Sequence, residues 1–330
     1  VRRRSSAGPP QRWGRCWILA AALPWVACAP AGPPSEEASP ATAVVPATEE
    51  YTKQIEGWRE ERRANLLSED GWFSLVGLYW LEPGASTFGS GEDADLGFPA
   101  GTPERIGTFH LEDGEVTLEP AAGSGLRIAD GEPVAGTIPL AADTSGDPTV
   151  LQLGTLSFYV IERGGKYGIR AKDSASPALQ AFEGLEYFPL DPAWRIEAQL
   201  EPEEGATVTV PNVLGQVEDV RAPGTLTFRA PGGEELHLTP MQEAPGEDLF
   251  IVFGDPTNGH GTYGGGRFLY ADPPGEDGRV VLDFNRAYNP PCAFTPFATC
   301  PLPPDVNKLD VAVRAGEKSY AGEVAGHQAG

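Results

Sequence analysis

The sequence predicts a mainly β protein, built of antiparallel β-sandwich or barrel modules behind one N-terminal amphipathic helix. Three observations lead there. Short runs of alternating apolar and polar residues recur along most of the chain, 41 Gly and 33 Pro punctuate them, and a helical period occurs once, near residue 50. Neither a parallel β-α-β alternation nor an internal repeat is present.

The helix lies in TEEYTKQIEGWREERRANLLSEDG, where Tyr51, Ile55, Trp58 and Leu66 share a face and the positions between them are charged. This aromatic stripe reads as a packing face, and Gly71 as the stop. Strands follow. Ile106–Glu112 and Glu115–Glu119 flank Asp113-Gly114, and Leu151–Glu162 and Lys166–Arg170 flank Gly164-Gly165, both strong hairpin signals. Further strand-like runs are Arg195–Leu200, Val208–Val213, Leu226–Arg229, Glu235–Thr239, Leu249–Phe253, Arg267–Tyr270, Val280–Asn285 and Leu309–Val313. The series is interrupted between Lys172 and Trp194. Expected organisation is therefore a helix and first β-module over 49–172, a crossing segment over 173–194, a second β-module over 195–320 and a flexible tail over 321–330.

Ahead of the helix, residues 1–28 carry five arginines and no acidic residue, then the apolar run Cys16–Ala27. That layout matches a secretory signal peptide, and the run falls short of the ~20 apolar residues a membrane-spanning helix needs. Val26-Ala27-Cys28 resembles a bacterial lipobox, with Trp25 where leucine is usual, so Cys28 is the expected lipidation site. Residues 29–48, rich in Pro, Ala and Ser and lacking aromatics, read as a disordered tether. The expectation is an exported lipoprotein held in the bacterial cell envelope by an N-terminal anchor.

The net charge is −23, and without the five leader arginines it becomes −28, which repels phosphate backbones and argues against nucleic-acid partners. Outside the leader the cysteines are Cys292 and Cys300, in NPPCAFTPFATCPLPP; an even pair in an exported chain reads as a disulfide. No CxxC or HxxxH spacing offers a metal site, and no cofactor motif occurs: GxSxG is absent, and GTYGGGRF lacks the Lys-Ser/Thr of a P-loop.

The densest polar chemistry lies at Tyr263, Arg267, Asp283, Asn285, Arg286, Tyr288 and Asn289. On a strand of period two, Asp283 and Asn285 share the face opposite Val280, Leu282 and Phe284. A carboxylate and an amide beside Arg286 can bind a polar ligand directionally, or can brace the neighbouring loop. Three readings follow from these residues. The first is a non-catalytic envelope binding module for a small polar ligand or a protein partner. The second is an envelope scaffold, and the third a hydrolase-type enzyme using Asp283 with Tyr263 or His260.

Two stretches carry a family resemblance. DGWFSLVGLYWLEPGASTFGSG (Asp70–Gly91), and TYGGGRFLYADPP with LDFNRAYNPPCAFTPFATCPLPP (Thr262–Pro304), resemble the bacterial and archaeal family known as domain of unknown function 1684, over about Tyr51 to Tyr320. The resemblance implies no particular activity. In layout, residues 84–161 also resemble a forkhead-associated β-sandwich: Phe88-Gly89-Ser90 at the first turn, Asp130-Gly131-x-x-Val134, and Leu153-Gly154 before the last strand. Phosphothreonine binding is not implied, because Ser90 stands where arginine is expected and Glu104–Phe109 lacks Ser-x-x-His.

Overall fold

The computed structural model describes residues 47–322 apart from Asp130. The leader, Cys28, nearly all of the tether, His327 and most of the tail lie outside the described residues. Helix α1 (Glu49–Leu66) opens the described chain. Thr48 caps it by accepting the Tyr51 N–H at 3.2 Å, and Glu49 and Glu50 sit favourably at the positive end of the helix dipole. The helix ends before the expected stop. Gly71 serves a close approach instead: a Cβ there would come within 2.2 Å of the Leu66 carbonyl oxygen.

Ten strands follow: β1 (Leu75–Trp80), β2 (Gly84–Gly89), β3 (Leu96–Gly97), β4 (Gly107–Glu112), β5 (Glu115–Pro120), β6 (Arg127–Ile128), β7 (Ile138–Leu140), β8 (Leu151–Leu153), β9 (Leu156–Arg163) and β10 (Lys166–Asp173). They form two five-stranded sheets, ordered β1-β10-β9-β8-β6 and β3-β2-β4-β5-β7. Inward residues of both sheets share one core, in which the Phe88 and Phe158 rings meet edge to face at 5.8 Å. Among these ten strands the pairing is antiparallel except for β2 with β3.

Both expected hairpins form. Asp113 (φ 51°) with Gly114 (φ 83°), and Gly164 (φ 54°) with Gly165 (φ 75°), adopt the left-handed pair that a two-residue turn demands. The run expected as one strand over 151–162 is two, with Leu153 paired to Leu156 across Gly154-Thr155.

After the short helix α2 (Pro177–Gln180) and a 3₁₀ turn at Pro192–Trp194 come eight further strands. These are β11 (Arg195–Pro202), β12 (Thr207–Pro211), β13 (Val217–Arg221), β14 (Gly224–Arg229), β15 (Glu235–Leu238), β16 (Leu249–Phe253), β17 (Arg267–Ala271) and β18 (Arg279–Asp283). They make a four-stranded sheet, β15-β14-β11-β18, and the hairpins β12-β13 and β16-β17. Alternation decides which side each hairpin residue serves. Leu249, Ile251 and Phe253 of β16, with Leu269 and Ala271 of β17, enter the large core. Phe250, Val252 and Phe268 face the other way, toward the disulfide loop.

Two expectations fail at strand ends. The strand over Val280–Asn285 stops at Asp283, because its carboxylate accepts the Asn285 N–H at 3.1 Å and turns Phe284–Arg286 into 3₁₀ backbone. Phe284 and Asn285 thus leave the alternation assumed for them. Leu309–Val313 forms no strand; its neighbour Lys308 makes a single bridge to Gly254. Cys292 and Cys300 are joined by a disulfide with Cα atoms 6.2 Å apart. Among the described residues no closed barrel forms, and no helix is long and apolar enough to cross a membrane.

Candidate functional site

The polar residues singled out by sequence fall into separate arrangements. Asp283, at the end of β18, and Asn285 tie down α1. Tyr51 donates its hydroxyl to Asp283 Oδ1 at 2.8 Å, and Asn285 Nδ2 donates to the Tyr51 oxygen at 3.0 Å. Asn285 also reads both backbone groups of Asp191 in the crossing segment, donating to its carbonyl at 2.9 Å and accepting its N–H at 3.1 Å. One amide side chain therefore joins three segments distant in sequence. Burial, then Asp283, holds the Tyr51 phenol above its ordinary range.

Arg267 is wholly buried. Its Nη2 donates to Asp255 Oδ2 at 2.7 Å and to the Val313 carbonyl at 2.8 Å, while Nη1 donates to the Ala315 carbonyl. This arginine faces no solvent and fixes the irregular strand-like segment before Glu317. Asn289 is also buried: its N–H donates to Glu317 Oε2 at 2.8 Å and Nδ2 to the Lys318 carbonyl at 2.7 Å. Tyr263 is half-buried among apolar side chains, and burial raises its phenol. His260 sits exposed in its loop. Asp283 Oδ1 accepts from Tyr51 and Asn285, and neither Tyr263 nor His260 hydrogen-bonds to it. The expected Asp283 cluster thus meets around Tyr51, a residue the sequence reading assigned to packing.

A second network holds the middle of α1. Glu317, fully buried, takes Arg62 Nε at 3.0 Å, and Arg62 also donates to the Asn289 carbonyl at 2.9 Å. The Arg62 guanidinium lies 4.4 Å from the centre of the Tyr288 ring, and that of Arg59 4.2 Å from Tyr187.

Between α1 and the β16-β17 hairpin opens a cleft of about 530 Å³, lined by Trp58, Arg62, Trp72, Phe250, Tyr270 and Tyr288 among others. A second depression of about 340 Å³ shares Trp58, Tyr270 and Tyr288 and extends to Asp248, Asp283 and Arg286. Period-two alternation aims Phe250, Phe268 and Tyr270 into the cleft, and the backbone bridge between Phe268 and Tyr288 sets the Tyr288 ring beside them. Tyr270 stacks on Phe250 with centroids 4.8 Å apart, and lies nearly parallel to Tyr288, at 13° and 6.4 Å. Trp58 closes the corner at 6.5 Å from Tyr288, tilted by 55°.

The charges of the cleft are uneven. Arg62 is matched by Glu317, and Arg286 Nε lies 3.8 Å from Asp283 Oδ2. Among the described residues neither Glu61 nor Asp248 takes part in an ion pair. Burial raises the Tyr270 phenol, and so do Asp248 and Glu243 nearby. Of these lining groups, Arg286 and Asp283 were candidates from sequence, as was Tyr288 within the polar cluster. Trp58 was placed on a packing face, while Trp72, Phe250 and Tyr270 were missed. The one available signal was Tyr270, a large aromatic at an outward strand position.

These features define a mainly β protein roofed by one helix, with an aromatic cleft under the roof. The family model described as "Protein of unknown function (DUF1684)" matches residues 180–318, which contain every strand from β11 to β18 and the disulfide loop. A solution NMR structure of an uncharacterised protein from Haloarcula marismortui is 37% identical, covering 42% of this chain and 78% of that one, with a TM-score of 0.35. No curated protein matches the chain. Residues 180–318 thus carry the match to the DUF1684 family. Helix α1 and Trp72 lie outside the matched segment, so the cleft has one wall within it and one outside.

Proposed function

We propose that this protein is a non-catalytic binding module of the bacterial cell envelope, exported and held at the membrane through a lipid on Cys28, with the aromatic cleft beneath α1 as its ligand seat. The cleft carries the reading. Its volume of about 530 Å³ lies within the usual range for small-molecule sites. Its aromatic walls come from separate segments that converge there, which a packing role alone does not require of the half-exposed Tyr270. The basic and apolar leader ending at Cys28 supports the address, and the Cys292–Cys300 disulfide suits an oxidising compartment.

Tryptophan fluorescence of the full-length protein, titrated with a panel of amines, sugars, amino acids and short peptides, tests the seat. A true ligand should quench the wild type and bind at least about tenfold more weakly to Trp58→Ala, the scale expected on losing a well-packed aromatic contact. Turnover of esters, glycosides or peptides by the purified protein would contradict the non-catalytic reading. Incorporation of labelled palmitate that disappears in Cys28→Ala tests the anchor; unlabelled wild type would remove it.

A further inference from the structure

We propose that the cleft selects an organic cation, specifically an alkylated or quaternary ammonium group; this rests on the cleft being the ligand seat. The face of an aromatic ring is electron-rich and attracts a positive charge placed within about 6 Å of its centre. Tyr270 and Trp58 offer such faces at one corner, on either side of Tyr288, whose ring lies nearly parallel to Tyr270 and already carries Arg62. The protein already uses this attraction to seat its own helix, through Arg62 over Tyr288 and Arg59 over Tyr187. Among the described residues no cation lies over Trp58, Phe250 or Tyr270.

The charge balance points the same way. Three cations line the cleft and the adjoining depression: Arg62 is matched by Glu317, Arg286 by Asp283, and Arg195 lies over the Tyr51 ring, whereas three carboxylates, Glu61 on the helix rim and Asp248 and Asp272 on the hairpin side, enter no ion pair among the described residues. An anionic ligand would face this surplus, and a neutral one would leave it unused. The aromatic floor also discriminates between cations. A primary ammonium needs hydrogen-bond acceptors around all three N–H groups, while an alkylated one needs only low-polarity, electron-rich contact, which the rings supply.

Calorimetric titration of the full-length protein with choline, with 3,3-dimethylbutan-1-ol (its neutral carbon isostere) and with maltose tests this. Choline is expected to bind, the isostere to bind at least about tenfold more weakly, and Tyr270→Leu to lose about tenfold toward choline. Tyr270 is 53% exposed, so this variant is expected to fold with an unchanged melting temperature, which is measured alongside. Glu61→Gln should weaken choline severalfold and leave the isostere unchanged. Equal binding of choline and the isostere, or Tyr270-dependent binding of maltose alone, would overturn the cation proposal and leave the cleft as a ligand seat. Binding of none of the three would overturn the cation proposal; unchanged fluorescence across the wider panel as well would overturn the seat itself.

Discussion

Arg267 and Asp255 form an ion pair at 2.7 Å in which neither side chain has any exposure to solvent. The pair replaces the regular ladder that a strand over 309–313 would have supplied, since Arg267 also holds the Val313 and Ala315 carbonyls and Asp255 Oδ1 accepts the Val313 N–H at 3.2 Å. Arg267→Met leaves a buried carboxylate without its partner, which costs about 3–5 kcal/mol. Urea denaturation should show this loss. A change below 1 kcal/mol would mean that the carboxylate finds solvent.

Asp283 and Asn285 brace α1, so the double substitution Asp283→Ala, Asn285→Ala should destabilise the protein by about 2–4 kcal/mol, several buried donors and acceptors losing partners at once. Amide exchange in α1 should accelerate more than exchange in β9. Equal acceleration throughout would show that the brace acts globally.

Alkaline pH acts through buried tyrosines. The phenols of Tyr51, Tyr187 and Tyr288 all lie above the ordinary 10.0, burial being the largest cause in each. A raised pKa in the folded state means that stability is complete below the unfolded value and falls as pH rises through it toward the folded one. The urea midpoint should therefore hold from pH 8 to near 10 and then decline, with phenolate absorbance of these residues appearing as the fold is lost. A midpoint that stays flat to pH 11.5 would contradict the burial of these hydroxyls.

Reduction of the Cys292–Cys300 bridge, or Cys292→Ala with Cys300→Ala, should cost about 2–3 kcal/mol through the freed loop. Thermal denaturation with and without reductant measures it.

Gly71→Ala forces a Cβ to within 2.2 Å of the Leu66 carbonyl oxygen and 2.6 Å of that of Asn65, both backbone atoms that cannot rotate away. Overpacking of this kind costs about 1–3 kcal/mol. A neutral substitution, judged by melting temperature, would show that the end of α1 can shift.

Much of the fold was legible because local chemistry and global structure agree. Asp113-Gly114 and Gly164-Gly165 can hardly be anything but tight turns, and the alternation of Leu249–Phe253 survives in β16. Sequence reading failed where a side chain overrides the pattern. Asp283 curls the chain it belongs to, and Arg267 supplies from a distance the hydrogen bonds that local pairing would have given near Val313. β13, with the sequence VEDVR, carries no apolar alternation; it forms because β12 lies beside it. The cleft was hidden for a different reason. Trp58, Trp72, Tyr270 and Tyr288 are ordinary aromatics in four separate places, and only the docking of α1 brings them together.

The bond between Arg62 and Glu317 spans 255 positions. An 18-residue helix alone in water is marginal, so α1 must wait for a residue synthesised 255 positions after its own Arg62 before it has a seat. Docking of the helix is thereby postponed until Glu317 has been made, and any truncation before that residue should leave α1 undocked and open to proteases.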